Sequence, residues 1–277
     1  MKLLVADIGG TNARFGYQEN IKSEINHIEF LNCVDFKNID HAILHYISKN
    51  QLVVDNLSLS IAGPCEDDII KFTNNHWFFK KTELLKKIGC NSLLAVNDFA
   101  AQGLGFTSFF KNNFDFLDKG VLKDHKLYLL KSGKIIDNSN ILVTGPGTGL
   151  GVGTLLFFDN MLLPIQGEGG NVIFSPATKQ EIDLLKWLAD RMNYVPTEEV
   201  LSGRGLVNIY DYLISKKKCV SQFSTAEEIG QAAINGDTTS KEAAKLMIEI
   251  FATSIGLFNL LKGTFFSAFF NQSSSAL

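Results

Sequence analysis

An α/β protein of two domains is what this sequence predicts, and two observations predict it. Short apolar runs that read as strands alternate with amphipathic stretches that read as helices. The order strand, glycine turn, strand also occurs twice, each time opening one half of the chain. In the first copy, residues 3–6 lead into Asp7-Ile8-Gly9-Gly10-Thr11-Asn12 and an extended Arg14-Phe15-Gly16-Tyr17. In the second, residues 141–144 lead into Gly145-Pro146-Gly147-Thr148-Gly149-Leu150-Gly151 and a strand over 152–158. One glycine hairpin is usually only a turn. Two in corresponding positions suggest a duplicated domain with both turns facing one cleft. The boundaries expected are 1–108 for a small α/β domain and 109–277 for a large α/β domain.

The first turn is a candidate phosphate cradle. Without Cβ atoms, Gly9 and Gly10 let the backbone bend sharply and bring successive N–H groups toward an anion, with the Thr11 hydroxyl beside them. Residues 14–17 resume an extended pattern, so the turn joins two antiparallel strands. A dinucleotide fingerprint needs G-x-G-x-x-G opening a helix, and a P-loop needs G-x-x-x-x-G-K-[ST]; the chain contains neither.

A third strand is expected over 24–33, a helix over 39–47, an alternating strand over 57–61 and a short strand over 68–72. Thr73-Asn74-Asn75-His76-Trp77 then reads either as a surface loop anchored by its Trp or as a loop facing substrate. A helix over 82–88 has a threonine near its start, and a buried strand over 92–96 stops at Asn97-Asp98-Phe99. An amide and a carboxylate at the carboxyl end of a strand stand where open α/β sheets bind ligands. Capping the helix over 99–105 is the competing role, and one residue is able to cap while the other reacts.

Residues 108–125 are rich in Asn, Asp, Lys and Phe without period and read as the crossing between domains. After a strand over 161–166 comes Gly167-Glu168-Gly169-Gly170-Asn171, where a glutamate among glycines suits neither helix nor sheet and points to function. Helices follow over 179–192, 205–214, 225–234 and 240–261. Thr197 and Glu198 precede Val200-Leu201-Ser202-Gly203; for Glu198, a favourable charge at a helix N-terminus is the alternative to a functional role.

Composition narrows the class. The chain has 277 residues, is 45% hydrophobic and carries a net charge of −3, which suits a soluble globular protein and gives no basic excess for nucleic acid. It opens directly into a strand and has no uninterrupted run of 18 apolar residues, so neither a leader nor a membrane span is expected, and the location expected is cytoplasmic. Cys33, Cys65, Cys90 and Cys219 are scattered, which suggests neither zinc nor disulfides.

In their order, these motifs resemble the bacterial glucokinase family. The residues that carry the resemblance are Asp7 to Arg14, Thr73-Asn74 with Trp77, Val96-Asn97-Asp98-Phe99, Gly145 to Gly153, Gly167 to Gly170, and Leu201-Ser202-Gly203 before Gly205-Leu206-Val207. The resemblance implies a two-domain actin-like ATPase (ribonuclease H-like) fold, with a cleft between a small and a large domain, and transfer of phosphate from ATP to the 6-hydroxyl of glucose. It implies that Asp98 is the general base and that Asn97, Asp98, Glu168, Asn171 and Glu198 hold the sugar. It further implies that Ala6, Asp7, Ile8, Gly9, Gly10 and Thr11 line one side of the nucleotide phosphates, with Gly147, Thr148 and Gly149 on the other. Asp7 would reach Mg²⁺ through water, and a homodimer is compatible with this set.

Two departures accompany the resemblance. Asn171 stands where the family commonly has His, which leaves another hexose open as substrate. The end of the chain, Gly263-Thr264-Phe265-Phe266-Ser267-Ala268-Phe269-Phe270-Asn271 and a Ser-rich tip, differs from the family's glycine-rich strand and final helix and reads as a shortened end. The expectation drawn from it is a lost strand, an exposed sheet edge and, as the alternative function, a catalytically impaired sugar-binding remnant or regulator.

Overall fold

The computed structural model describes residues 1–106, 110–111, 115–116, 139–262 and 264–269, apart from 66, 73–74, 160 and 166. The described chain forms two compact units, Met1–Gln102 and Gly103–Leu277. Most of the expected crossing over 108–125, the pair Thr73-Asn74 and the Ser-rich tip lie outside the described residues.

In the first unit, β1 (Leu3–Ile8) runs antiparallel to β2 (Asn12–Gln18), which runs antiparallel to β3 (Asn26–Asn32). Helix α1 (Ile39–Lys49) crosses to β4 (Asn56–Ile61), parallel to β1. Past the small hairpin of β5 (Ile69–Lys71) and β6 (Phe78–Lys80), helix α2 (Lys81–Ile88) leads to β7 (Ser92–Asn97), parallel to β4, and on to α3 (Asp98–Phe106). The sheet order is β3-β2-β1-β4-β7, so the carboxyl ends of β1, β4 and β7 fall along one edge. Alternation decides which face is buried: Leu4, Ala6 and Ile8 of β1 and Leu57, Leu59 and Ile61 of β4 pack on Ile39, Ala42, Ile43 and Tyr46 of α1.

Trp77 and the start of α2 bear on two expectations about this unit. Trp77 belongs to the core, 1% exposed, with its indole N–H donated to the Phe36 carbonyl at 3.1 Å. It anchors the loop, as the first of the two readings has it. The threonine expected near the start of α2 is not its cap: Lys80 holds that position with no side-chain bond, and Thr82 donates its N–H and hydroxyl to Asp68 at 3.1 and 3.0 Å. A carboxylate from the preceding strand region thus supplies the acceptor that a cap would offer.

The second unit pairs β10 (Asn140–Pro146) antiparallel with β11 (Leu150–Phe158), and β11 antiparallel with β12 (Met161–Ile165); two-residue strands β8 (Phe110–Lys111) and β9 (Asp115–Phe116) precede them. Helices α4 (Lys179–Ala189), α5 (Gly203–Lys217), α6 (Ala226–Ile234) and α7 (Thr238–Lys262) follow. The tail departs from expectation, because β13 (Thr264–Phe269) adds to the sheet parallel to β10, giving the order β12-β11-β10-β13. Aromatic residues favour strands, and the backbone pairing with β10 holds this one without an alternating pattern.

Helix α7 is long and apolar enough by composition to cross a membrane, with mean hydropathy 1.5 within Thr238–Leu261 and 17% of that window buried. A window average passes over the small and polar residues that interrupt a strict apolar run. Ala243, Leu246, Ile250 and Phe258 of this helix nonetheless lie in the core of the unit, at helical spacing.

Candidate functional site

At the carboxyl edge of the first sheet, β1 delivers Asp7 and the glycine turn. The turn is closed by Gly9 N–H to the Asn12 carbonyl at 3.0 Å, and Thr11 is tied by its carbonyl to Cys33 N–H at 2.8 Å. Asn75 donates its amide to the Gly9 carbonyl at 3.2 Å, which holds the turn from the side. Asp7 is exposed, and its Oδ1 accepts the Ser60 hydroxyl at 2.9 Å from the neighbouring parallel strand β4. Ala6 is buried beneath the turn and Ile8 fully so, which makes them support for the turn rather than contacts of their side chains.

At the end of β7, Asn97 takes the capping role. Asn97 Oδ1 accepts the N–H groups of Phe99 and Ala100 at 3.0 and 3.2 Å, the bonds of an N-cap, and its amide reaches the Gly63 carbonyl at the end of β4 at 3.4 Å. Asp98 therefore opens α3, half-buried, with Oδ1 accepting Phe99 N–H at 2.8 Å. Capping by one residue fixes the position of the other.

In the second unit the glycine turn after β10 is braced from three sides. Gly147 N–H donates to the Gly149 carbonyl at 2.8 Å, and Gly203 N–H at the start of α5 donates to the Gly147 carbonyl at 2.8 Å. Glu198 Oε2 lies 3.4 Å from Leu150 N, and a Cβ on Gly149 would meet that oxygen at 2.7 Å. Glu168 bridges to Val152 of β11, and a Cβ on Gly170 would stand 2.3 Å from the Leu150 carbonyl. The glycines after Glu168 are thus required by close packing against β11.

Glu168 and Asn171 are brought together, with the Asn171 amide donating to Glu168 Oε2 at 3.3 Å; both are exposed. Asn171 also accepts the Tyr194 hydroxyl at its carbonyl. Glu198 sits in a short 3₁₀ turn, Thr197–Glu199, pinned to the same segment because buried Thr197 donates both N–H and hydroxyl to the Val172 carbonyl at 2.7 and 2.9 Å. Glu198 stands before α5 in sequence, but its carboxylate reaches the first turn of that helix. Its carboxylate pairs with Arg204, Oε1 to guanidinium at 3.0 Å. The sequence reading missed Arg204, Thr197 and Asn75; the one signal for Arg204 was a cation inside the first turn of a helix, where anions are favoured.

This ordered set coincides with a family model described as Glucokinase, which matches residues 4–265. The chain belongs to the glucokinase family. It is 34% identical over 255 residues to a glucokinase of Hahella chejuensis, covering 91% of this chain and 75% of that protein. It is 37% identical over 264 residues to one of Helicobacter acinonychis, covering 91% and 74%. Among solved structures, glucokinase from an Antarctic psychrotroph matches with a TM-score of 0.83 at 25% identity, over 99% of this chain and 83% of that one. A ROK family glucokinase from Streptomyces griseus, in complex with glucose and AMPPNP, matches with a TM-score of 0.62 at 15% identity, over 99% and 84%, and shows the shared fold. This glucokinase-family chain thus has the two-domain actin-like fold that the resemblance implied.

Proposed function

We infer that the chain catalyses ATP-dependent phosphorylation of D-glucose at the 6-hydroxyl, giving glucose 6-phosphate and ADP. The observation that carries the reading is the family match over residues 4–265, which spans every glycine turn and carboxylate described above. Asp98 is the general base: the N-cap formed by Asn97 sets its position at the first turn of α3, and it takes the proton of the 6-hydroxyl as the phosphoryl group arrives. The Asn97 amide, Glu168, Asn171 and Glu198 hold the remaining hydroxyls. Carboxylates accept from hydroxyl groups, and an amide both donates and accepts, so Asn171 serves where the family commonly has His. A sugar that leaves such groups unpaired is penalised, which is the source of selectivity.

Gly9, Gly10 and Thr11 of the first unit and Gly147, Thr148 and Gly149 of the second line the nucleotide phosphates, with the N–H groups of Gly9 and Gly147 engaged in closing their own turns; Ala6 and Ile8 seat the first turn. For Mg²⁺, the residues present fit. Asp7 is an exposed hard oxygen donor oriented by Ser60, and Mg²⁺ characteristically takes one or two carboxylates together with phosphates and water. When bound, Mg²⁺ neutralises charge on the terminal phosphates. A cytoplasmic setting and a homodimer belong to the same reading; size-exclusion chromatography with light scattering checks the dimer. The reading as a whole is tested by ADP release in the presence of glucose, mannose or fructose. Release that requires glucose supports it, and release with fructose or mannose alone moves the substrate to another hexose.

A further inference from the structure

We propose that Arg204 is a positioning residue that aims Glu198 at the sugar, setting affinity for the acceptor without taking part in the transfer. The inference rests on the reading of Glu198 as a sugar contact. Arg204 is the residue between Gly203 and Gly205 at the start of α5. Gly203 is committed by its bond to Gly147, and Gly205 by packing, since a Cβ there would stand 2.5 Å from the Val200 carbonyl carbon. Ser202 caps the helix through Gly205 N–H at 3.1 Å and donates its hydroxyl to the Glu198 carbonyl at 2.6 Å. These bonds fix the backbone of Glu198 and leave its side chain to be placed by something else.

The Arg204 guanidinium does this. One of its nitrogens lies 3.0 Å from Glu198 Oε1 and 2.9 Å from Glu199 Oε1, so it bridges two adjacent like charges. The other oxygen of Glu198 faces Leu150 N. A carboxylate has about four acceptor positions, so both contacts leave room for hydroxyl groups.

Arg204 is costly where it stands. The first turn of α5 holds no acidic residue, and a cation near the positive end of a helix is unfavourable. Its side chain is 56% exposed, so the ion pairs alone return little stability. A residue that breaks a local rule for so little stability is placed for function.

The experiment measures glucose KM, ATP KM, kcat and melting temperature for the unaltered chain, Arg204→Ala, Arg204→Lys, Glu198→Gln and the double variant Glu198→Gln/Arg204→Ala. We expect Arg204→Ala to raise glucose KM about tenfold, as for loss of a bond to a charged group, with kcat and melting temperature little changed. Arg204→Lys should recover part of the loss, and on the Glu198→Gln background Arg204→Ala should add almost nothing. A rise confined to ATP KM, equal effects of Arg204→Ala on both backgrounds, or an unchanged glucose KM would overturn the inference. If Glu198→Gln itself leaves glucose KM unchanged, Glu198 is not a sugar contact, and the underlying reading fails along with the inference. Should Arg204→Ala fold poorly, Arg204→Gln against the unaltered chain still decides: it keeps most of the side chain and loses the charge, so a raised glucose KM supports the inference and an unchanged one overturns it.

Discussion

The two glycine turns look alike in sequence and are built differently. At the turn of the first unit, a Cβ added to Gly9 would make only ordinary contact, 3.5 Å from the Asn12 carbonyl, and the groups that hold the turn are neutral or lie beside it. At the turn of the second unit, Gly149 lies against the Glu198 carboxylate, and in nearby segments of the same unit a Cβ on Gly170 or Gly205 would stand 2.3 or 2.5 Å from backbone. The first turn leaves room beside Gly9. The second uses glycine so that three segments pack on one another. A motif shared by two halves of a duplicated architecture therefore says where to look, and the neighbours say what each copy does.

The largest effect expected lies in the first unit. Asp98→Asn should lower kcat by about 10²- to 10⁴-fold while glucose binding, measured by calorimetry, persists. A variant that loses its fold instead would make Asp98 part of the helix start, with Asn97, and remove the contrast with its capping neighbour. Next comes the packing difference itself. Gly170→Ala should cost about 1–3 kcal/mol of stability in denaturant melts, because the obstructing atom is backbone and has nowhere to go. Gly9→Ala should change stability by less than about 1 kcal/mol yet raise ATP KM, because the added methyl narrows the approach to the turn. Equal destabilisation by the two would break the distinction drawn here.

A smaller effect separates the units by pH. Burial opposes ionisation of Asp40, but Lys87 and His41 outweigh it and hold its carboxyl below the ordinary range. The stability it gives the first unit is therefore present above the unfolded value of about 3.9 and lost as pH falls through the lower folded value. Asp211 in the second unit has the opposite sign, since burial pushes it up against the pull of Arg191. Its ionised form costs stability at neutral pH, and that cost is relieved as pH falls through the raised folded value. Thermal melts across acidic and neutral pH should show Asp40→Asn flattening the acid loss, and Asp211→Asn giving a small gain at neutral pH that vanishes in acid.

Much of the first unit was legible because its signals are local. The alternation of Leu57, Leu59 and Ile61 and the helical spacing of Ile39, Ala42, Ile43 and Tyr46 follow from the period of one element. Asn97-Asp98 was legible as a pair containing a cap, but that Asn97 takes the capping bonds to both Phe99 and Ala100 depended on the local geometry. Strand β6 has three residues, too few for a period to emerge. Strand β13 lacked alternation and owed its place to pairing with β10, far away in sequence. The bridge from Arg204 to Glu198 and Glu199 crosses a turn, where neither helical nor strand spacing applies.

The most direct test of the account is formation of glucose 6-phosphate by the purified chain at saturating ATP, Mg²⁺ and glucose, followed by a dehydrogenase-coupled assay. The account predicts one ADP released for each glucose 6-phosphate formed, and no ADP release above background when glucose is omitted. Folded protein that binds glucose but releases no glucose-dependent ADP would contradict it.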